Sequence, residues 1–285
     1  MNNLTKAELL AAREARYRRR MNLRVKDQAQ AVEFVNDVGF SFLFPIQKLE
    51  LPSLWDAIAG RVVKTYPDHK GYEIERTWGW KDEALDQKWW YYGKLIRDKA
   101  TLVSLDFLPN FYALSENFGD YEHDYLEEYK IGQMTSEAKQ VYEALLKNGA
   151  LDAVRLRREA HLSTDANKGR FDKALTDLQT GLKVLPVGIA PAGAWRYAFI
   201  YEVLPRWFPQ IPLRAQQIGR VEARRHILDR YLCNVVFSTV PIAARLFRWS
   251  LAETQQTAEV LAAEGRLQLN VKVSGIKDVQ MVTQG

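Results

Sequence analysis

The chain has 285 residues, 47% of them hydrophobic and 26% charged, with a formal net charge of +5. This composition fits a folded protein with a sizeable core and excludes wholesale disorder. No run approaches the roughly 18 apolar residues of a membrane span, no apolar stretch follows the basic N-terminus to make a secretory leader, and a single cysteine, Cys233, excludes an internal disulfide or a cysteine-built zinc site.

In chain order, Thr5–Arg20 consists of strong helix formers, and Thr5 with Glu8 forms a capping-box pattern. Between Met1 and Lys26 eight Lys or Arg face two acids. This local excess suits phosphate contact, or simply keeps a helix end solvated. A second helix is predicted from Asp27 to Val38, with Ala31, Phe34, Val35 and Val38 on one face and Gly39 as its stop. A short apolar run, Phe40–Pro45, precedes a third helix, Ser53–Ala59, closed by Gly60. The next stretch is aromatic-rich (Thr77–Trp80, then Trp89, Trp90, Tyr91 and Tyr92), as core or as a base-stacking surface. Ala100–Asp106 reads as a strand, and Glu116–Glu128 is acidic.

The clearest architectural signal follows. Ser136–Lys147, Leu151–Ala160 and Asp165–Thr180 read as helices, Leu182–Ile189 and Trp195–Glu202 as a hairpin. That is the order of a winged helix. The order recurs in Val221–Leu232, Val240–Phe247, Ser250–Glu264 (with Ser250 and Glu253 as a second capping box) and a hairpin of Leu267–Val273 and Val279–Thr283. The expected organisation is α+β and mainly helical: a helical or winged-helix-like module over 1–70, an aromatic-rich α/β segment over 71–134, and tandem winged helices over 135–204 and 214–285. A proline-bearing linker (Pro205, Pro209, Pro212) joins the last two.

Winged helices bind DNA or other proteins. For DNA, the third helix of the 135–204 module offers Lys168, Arg170 and Lys173, its second helix Arg157, and its wing Arg196; the N-terminal run adds Arg18, Arg19, Arg20 and Arg24. Each cation that neutralises a phosphate releases counterions, so such clusters drive binding to duplex DNA. The last module is weaker, because its third helix carries Glu253, Glu259 and Glu264. No phosphate-binding glycine loop, metal-binding helix motif or serine elbow is present, and the four histidines are scattered. We therefore expect no metal and no cofactor, with double-stranded DNA as the partner of a cytoplasmic monomer that has no membrane association. Composition and spacing alone name no reaction.

Four stretches carry a resemblance: Arg18–Gly39 (RRRMNLRVKDQAQAVEFVNDVG), Leu54–Gly60 (LWDAIAG), Thr77–Leu85 (TWGWKDEAL) and Tyr92–Leu95 (YGKL). With the tandem winged helices behind them, they resemble the AlkZ/YcaQ-type DNA glycosylase superfamily of winged-helix proteins, and most of all its AlkZ-related branch. The resemblance implies a C-shaped set of winged-helix modules with a small β-rich element, gripping duplex DNA and excising bulky modified bases. Repair, self-resistance or defence against phages with decorated bases would each be a fitting role.

One departure matters. The family pattern implies Gln-x-Gln or Gln-x-Asp just after the helix ending at Gly39, but Phe40–Pro45 offers only Ser41 as a polar residue. Either other groups perform the chemistry, or the protein binds DNA without cutting it, as a lesion sensor or transcriptional regulator. For the first alternative, Lys81-Asp82 lies where the resemblance implies a His-Glu pair, and Asn36, Asp37 and Gln47 flank the lost motif. A carboxylate can position water and stabilise a sugar that becomes cationic. The plainer reading of Lys81-Asp82 is an exposed salt-bridging pair at a helix start. Trp78, Trp80 and Ser41 are the candidates for lining a base pocket, with burial in the core as the alternative for the tryptophans.

Overall fold

The structure, a computed structural model, describes residues 5–63, 71–193, 195–278 and 280–284. His69, the end of the expected 1–70 module and Val279 therefore lie outside the described residues. What is described is mainly helical with three small antiparallel sheets, an α+β protein as expected. Among these residues no helix is long and apolar enough to cross a membrane.

The chain opens with α1 (Lys6–Arg16), whose capping box is present: the Thr5 N–H donates to Glu8 at 2.9 Å, and the Glu8 N–H donates to the Thr5 hydroxyl. Three units of one topology follow. The first is α2 (Gln28–Val38), β1 (Phe40–Phe42), α3 (Leu54–Ala59), α4 (Tyr72–Gln87), β2 (Tyr91–Gly93) and β3 (Thr101–Val103). After α5 (Leu108–Tyr112) and α6 (Asp124–Lys130), the second runs α7 (Ser136–Asn148), β4 (Leu151–Asp152), α8 (Ala153–Glu159), α9 (Lys168–Thr180), β5 (Val184–Ala190) and β6 (Ala198–Val203). Two short helices, α10 (Leu204–Trp207) and α11 (Gln210–Ala215), lead to the third: α12 (Arg220–Val235), β7 (Phe237–Ser238), α13 (Val240–Phe247), α14 (Leu251–Ala263), β8 (Leu267–Val271) and β9 (Gln280–Thr283).

In every unit the last strand lies between the other two, giving the orders β1-β3-β2, β4-β6-β5 and β7-β9-β8. The register Phe40↔Val103 and Tyr91↔Val103 runs one sheet across the expected division at residue 70. Strand β1 comes from the 1–70 segment and its partners from 71–134, so the aromatic-rich stretch completes the first sheet. The expected linker of Pro205, Pro209 and Pro212 is also more ordered than an extended connection: Pro205 sits in the first turn of α10, where a missing N–H costs nothing, and Pro212 lies in α11.

Local signals explain most helix ends. Asp27, Ser53, Thr135, Asp152, Thr239 and Ser250 cap with their side chains, and Gly39 and Gly60 close α2 and α3 at φ of +74° and +64°. Helix α4 lacks both: Gly71 supplies no side-chain cap, and the helix ends on Lys88 in the left-handed region. The first unit has its own core around Phe34, Trp55, Ile58, Trp80 and Trp90, and the second around Tyr142, Leu145, Leu156, Phe171 and Leu175. A further cluster joins Phe40, Phe111, Leu185, Phe208, Tyr231 and Leu246. It draws on all three units, so burial of apolar surface ties each unit to the others.

Candidate active site

Helix α4 packs against β5, and β2 against β5 as well, so the third helix of the first unit meets the hairpin of the second. Lys81 lies at this junction with a side chain that is 0% exposed. A lysine is almost never fully buried unless its charge is matched. Here Nζ donates to Asp82 Oδ1 and, at 2.7 Å, to the Tyr197 hydroxyl; that hydroxyl in turn donates to Asp82 Oδ1 at 2.8 Å. Four rings surround the amine, with Nζ at 4.6 Å from the Phe199 ring centre, 4.7 Å from Trp78, 5.4 Å from Tyr92 and 5.5 Å from Tyr197. Their π faces offset part of the desolvation of the ammonium. Burial still holds the Lys81 pKa below the usual 10.5, against the opposing pull of Asp82. Burial, and next the bond to Asp82, raises the Tyr197 phenol, and burial raises Tyr92.

Asp82 is placed differently. Its side chain is 27% exposed, and both of its hydrogen bonds go to Oδ1. Among the described residues Oδ2 has no hydrogen-bond partner, so the carboxylate of this partly exposed side chain is held through one oxygen only. Trp78 and Tyr197, both at the Lys81 amine, are each partly exposed, and Trp195, two residues before Tyr197, is 90% exposed. The pair is thus not the exposed salt bridge at a helix start that was the plainer expectation. It sits in the second half of α4, and its cation is sealed.

A basic recess of about 510 Å³ lies between α1 and α2, lined by Arg16, Arg18, Arg24, Lys26, Gln30 and Asp37. Two hydrogen bonds tie its edge to α4: Arg76 donates to the Lys26 carbonyl, and Gln28 donates to Glu83. Arg18 approaches Glu33 at 3.8 Å and stacks over Phe34. Arg24 and Lys26 have no ion pair among the described residues. Arg20 is exposed and donates to the Ala11 carbonyl.

Several expected site residues serve the scaffold. Arg19 donates twice to Asp56, at 2.9 and 2.6 Å, and Asp56 is fully buried; Arg19 is therefore committed inward and not to a phosphate. Arg157 donates to the Leu162 and Thr164 carbonyls, closing the turn between α8 and α9. Trp80 is 7% exposed within the first unit's core, which removes it from any base pocket. Ser41 is sealed in β1 opposite Leu102, its hydroxyl without a partner. Asp37 binds Arg16 at 3.1 Å, while Asn36 and Gln47 are exposed; none of the three has a hydrogen bond or ion pair to Lys81 or Asp82. On the second unit Arg170 approaches Glu137 at 3.5 Å and Lys173 pairs with Asp177 at 2.7 Å, whereas Lys168 and the hairpin's Arg196 are exposed and carry no ion pair among the described residues.

Tyr92, Tyr197 and Phe199 escaped sequence reasoning as members of this site. Phe199 lies in β6 and Tyr197 just before it, two residues apart as side chains of one face of an extended chain are. Nothing in the sequence links that face to a lysine 116 positions earlier. Among the described residues no group of three or more His, Cys, Asp or Glu is arranged to hold a metal ion.

A family model described as "AlkZ related" matches residues 25–237. Among solved structures, the Streptomyces sahachiroi DNA glycosylase AlkZ is similar in fold, with a TM-score of 0.57 at 14% sequence identity, over 95% of this chain and 69% of that one. No curated protein matches the sequence.

Proposed function

The chain belongs to the AlkZ-related family, and on that premise we propose that it is a DNA glycosylase, hydrolysing the N-glycosidic bond of a bulky or hypermodified base in double-stranded DNA to leave an abasic site. The three units act in this reading as winged helices that grip the duplex. Arg18, Arg24, Lys26, Lys168 and Arg196 supply phosphate contacts, because no strong internal partner competes for them.

The observation that carries the reading is the Lys81–Asp82–Tyr197 cluster, a carboxylate fixed through one oxygen by two donors and open at the other. Breaking an N-glycosidic bond leaves positive charge on the sugar, and a preorganised anion nearby stabilises that charge without reorganising. The free oxygen of Asp82 can also accept a proton from the attacking water. Lys81 and Tyr197 hold the carboxylate in place. Trp78, partly exposed beside the Lys81 amine, offers a ring on which an everted base would stack.

The test is formation of abasic sites. Purified protein is incubated with unmodified, alkylated and naturally hypermodified DNA, and exposed aldehydes are labelled. Label is expected on a bulky-base substrate, and Asp82→Asn should reduce its rate by about 10²–10³-fold, the usual effect of removing one transition-state electrostatic contact. Undiminished activity in Asp82→Asn would refute the role given to that residue. One observation favours a second reading, a non-catalytic DNA-binding protein: Ser41, the polar residue of β1, is sealed with its hydroxyl unpartnered, so β1 delivers no polar group to a base. Tight duplex binding with no label on any substrate would establish that alternative.

A further inference from the structure

Base excision as described needs a carboxylate and a positioning cation, and an exposed arginine would supply the second at less cost than a sealed lysine. Lys81 has instead the features of an amine held for covalent chemistry. It is ringed by Trp78, Tyr92, Tyr197 and Phe199, removed from water, and bonded to a carboxylate and a phenol that can move protons. Desolvation favours its neutral form, the only form that attacks a carbonyl. Nζ nevertheless lies one side chain below the surface, because Asp82, Trp78 and Tyr197 are all partly exposed. Tyr197 belongs to the hairpin segment whose Trp195 stands free and whose Arg196 has a φ of +51°. Rotation of the Tyr197 ring away from Asp82 would uncover the amine.

We propose that Lys81 is a nucleophile toward the C1′ aldehyde of an abasic site in duplex DNA, giving the protein a strand-cleaving lyase activity. The proposal rests on the reading that DNA enters at this cluster, but not on base excision. Neutral Nζ adds to C1′ of the ring-opened deoxyribose. The resulting carbinolamine loses water to give a protonated imine, the hydroxyl leaving with the proton that Lys81 passed to Asp82 on becoming neutral. Asp82 then takes a proton from C2′, the C3′–O bond breaks, and its electrons leave with the 3′-phosphate. Water hydrolyses the imine, releasing Lys81, an unsaturated aldehyde on one strand end and a 5′-phosphate on the other. One water leaves and one returns, and no oxidant or reductant is consumed.

The experiment uses a duplex with one preformed abasic site, which bypasses base excision, so its failure and that of the glycosylase reading are distinguishable. With borohydride present, the imine should be reduced to a stable protein–DNA adduct, and peptide mapping should place the adduct on Lys81. Without borohydride the strand should be cut with a 5′-phosphate end. Lys81→Arg should abolish both trapping and cleavage, and a salt titration of duplex binding on the same preparation separates loss of the amine from loss of DNA contact. Absence of an adduct, or an adduct on any other amine, overturns the proposal. Because the mapping is done on the unaltered protein, it decides the question even if the variant fails to fold.

Discussion

Arg19 separates a scaffold role from a DNA-binding one, since its place in the basic N-terminal run suggests a phosphate contact and the structure gives it another duty. Its guanidinium donates to Asp56 Oδ2 through Nε at 2.9 Å and Nη2 at 2.6 Å, and the other Asp56 oxygen accepts the Val63 N–H at 2.9 Å. The Asp56 side chain is fully buried, so Arg19→Ala leaves a carboxylate without its counter-ion and out of reach of bulk water. Breaking a buried pair from one side costs about 3–5 kcal/mol. At about 2–4 °C per kcal/mol for a chain approaching this size, melting should fall by about 10 °C. Arg19→Met combined with Asp56→Asn should recover part of that loss, because neither variant side chain carries an unpaired charge. Arg24→Ala is the contrast: with no ion pair to lose, it should stay within about 0.5 kcal/mol of the parent in stability, while the slope of log binding constant against log salt falls by about 0.9. Melting curves and salt titrations of duplex binding on the same preparations decide the matter. An Arg19→Ala protein that melts with the parent but loses DNA affinity would refute this assignment and return Arg19 to the interface.

Trp195, at 90% exposure, holds no core together, so Trp195→Ala should leave the melting transition unchanged. If its ring stacks on a base, the lost contact is worth about 1–3 kcal/mol in duplex affinity, and unchanged affinity would rule out stacking. Lys81 sets a pH dependence of known sign. Its folded pKa is below 10.5, so as pH rises the folded chain releases this proton before the unfolded chain does, and the unfolded state binds the more protons in that window. The stability difference between the parent and Lys81→Met should therefore shift in favour of the parent as pH rises toward 10.5; urea unfolding at a series of pH values measures it, and a shift the other way would contradict the burial of a cation.

Where side chains cap helices, the sequence was a good guide. Thr5 with Glu8, Ser250 with Glu253, and Gly39 and Gly60 mark helix ends because they satisfy backbone groups within a few residues of themselves. The bounds of helix α4 leave little local signal, because it begins at Gly71 without a side-chain cap and ends on Lys88, where a glycine would have marked the stop. Strands β4 and β7, at two residues each, are too short to show an alternation. The Lys81-Asp82 pair was legible only as a pair. Its burial is created by Tyr197 and Phe199 from a different unit, and long-range packing of that kind leaves no local trace.

The three units share a topology but not a charge pattern, and this bears on what kind of DNA contact the chain can make. In the first unit the third helix turns Lys81 and Asp82 toward the second unit's hairpin. In the second, two cations of α9 meet acids, Arg170 with Glu137 and Lys173 with Asp177, leaving Lys168 as the unpaired one of the three. In the third, Glu253 of α14 and Glu264 at its end are held by Arg224 and Arg225 of α12. Reading base edges in the major groove requires paired donors and acceptors, such as arginine or asparagine, projecting free from such a helix. None of the three third helices presents a row of them. Other cations without an ion pair among the described residues lie elsewhere, at Arg24 and Lys26 beside α2 and at Arg196 on the hairpin. On the proposed reading such a distribution would grip the backbone with little regard to sequence, which would suit a protein that scans duplex for an altered base better than one that selects a promoter.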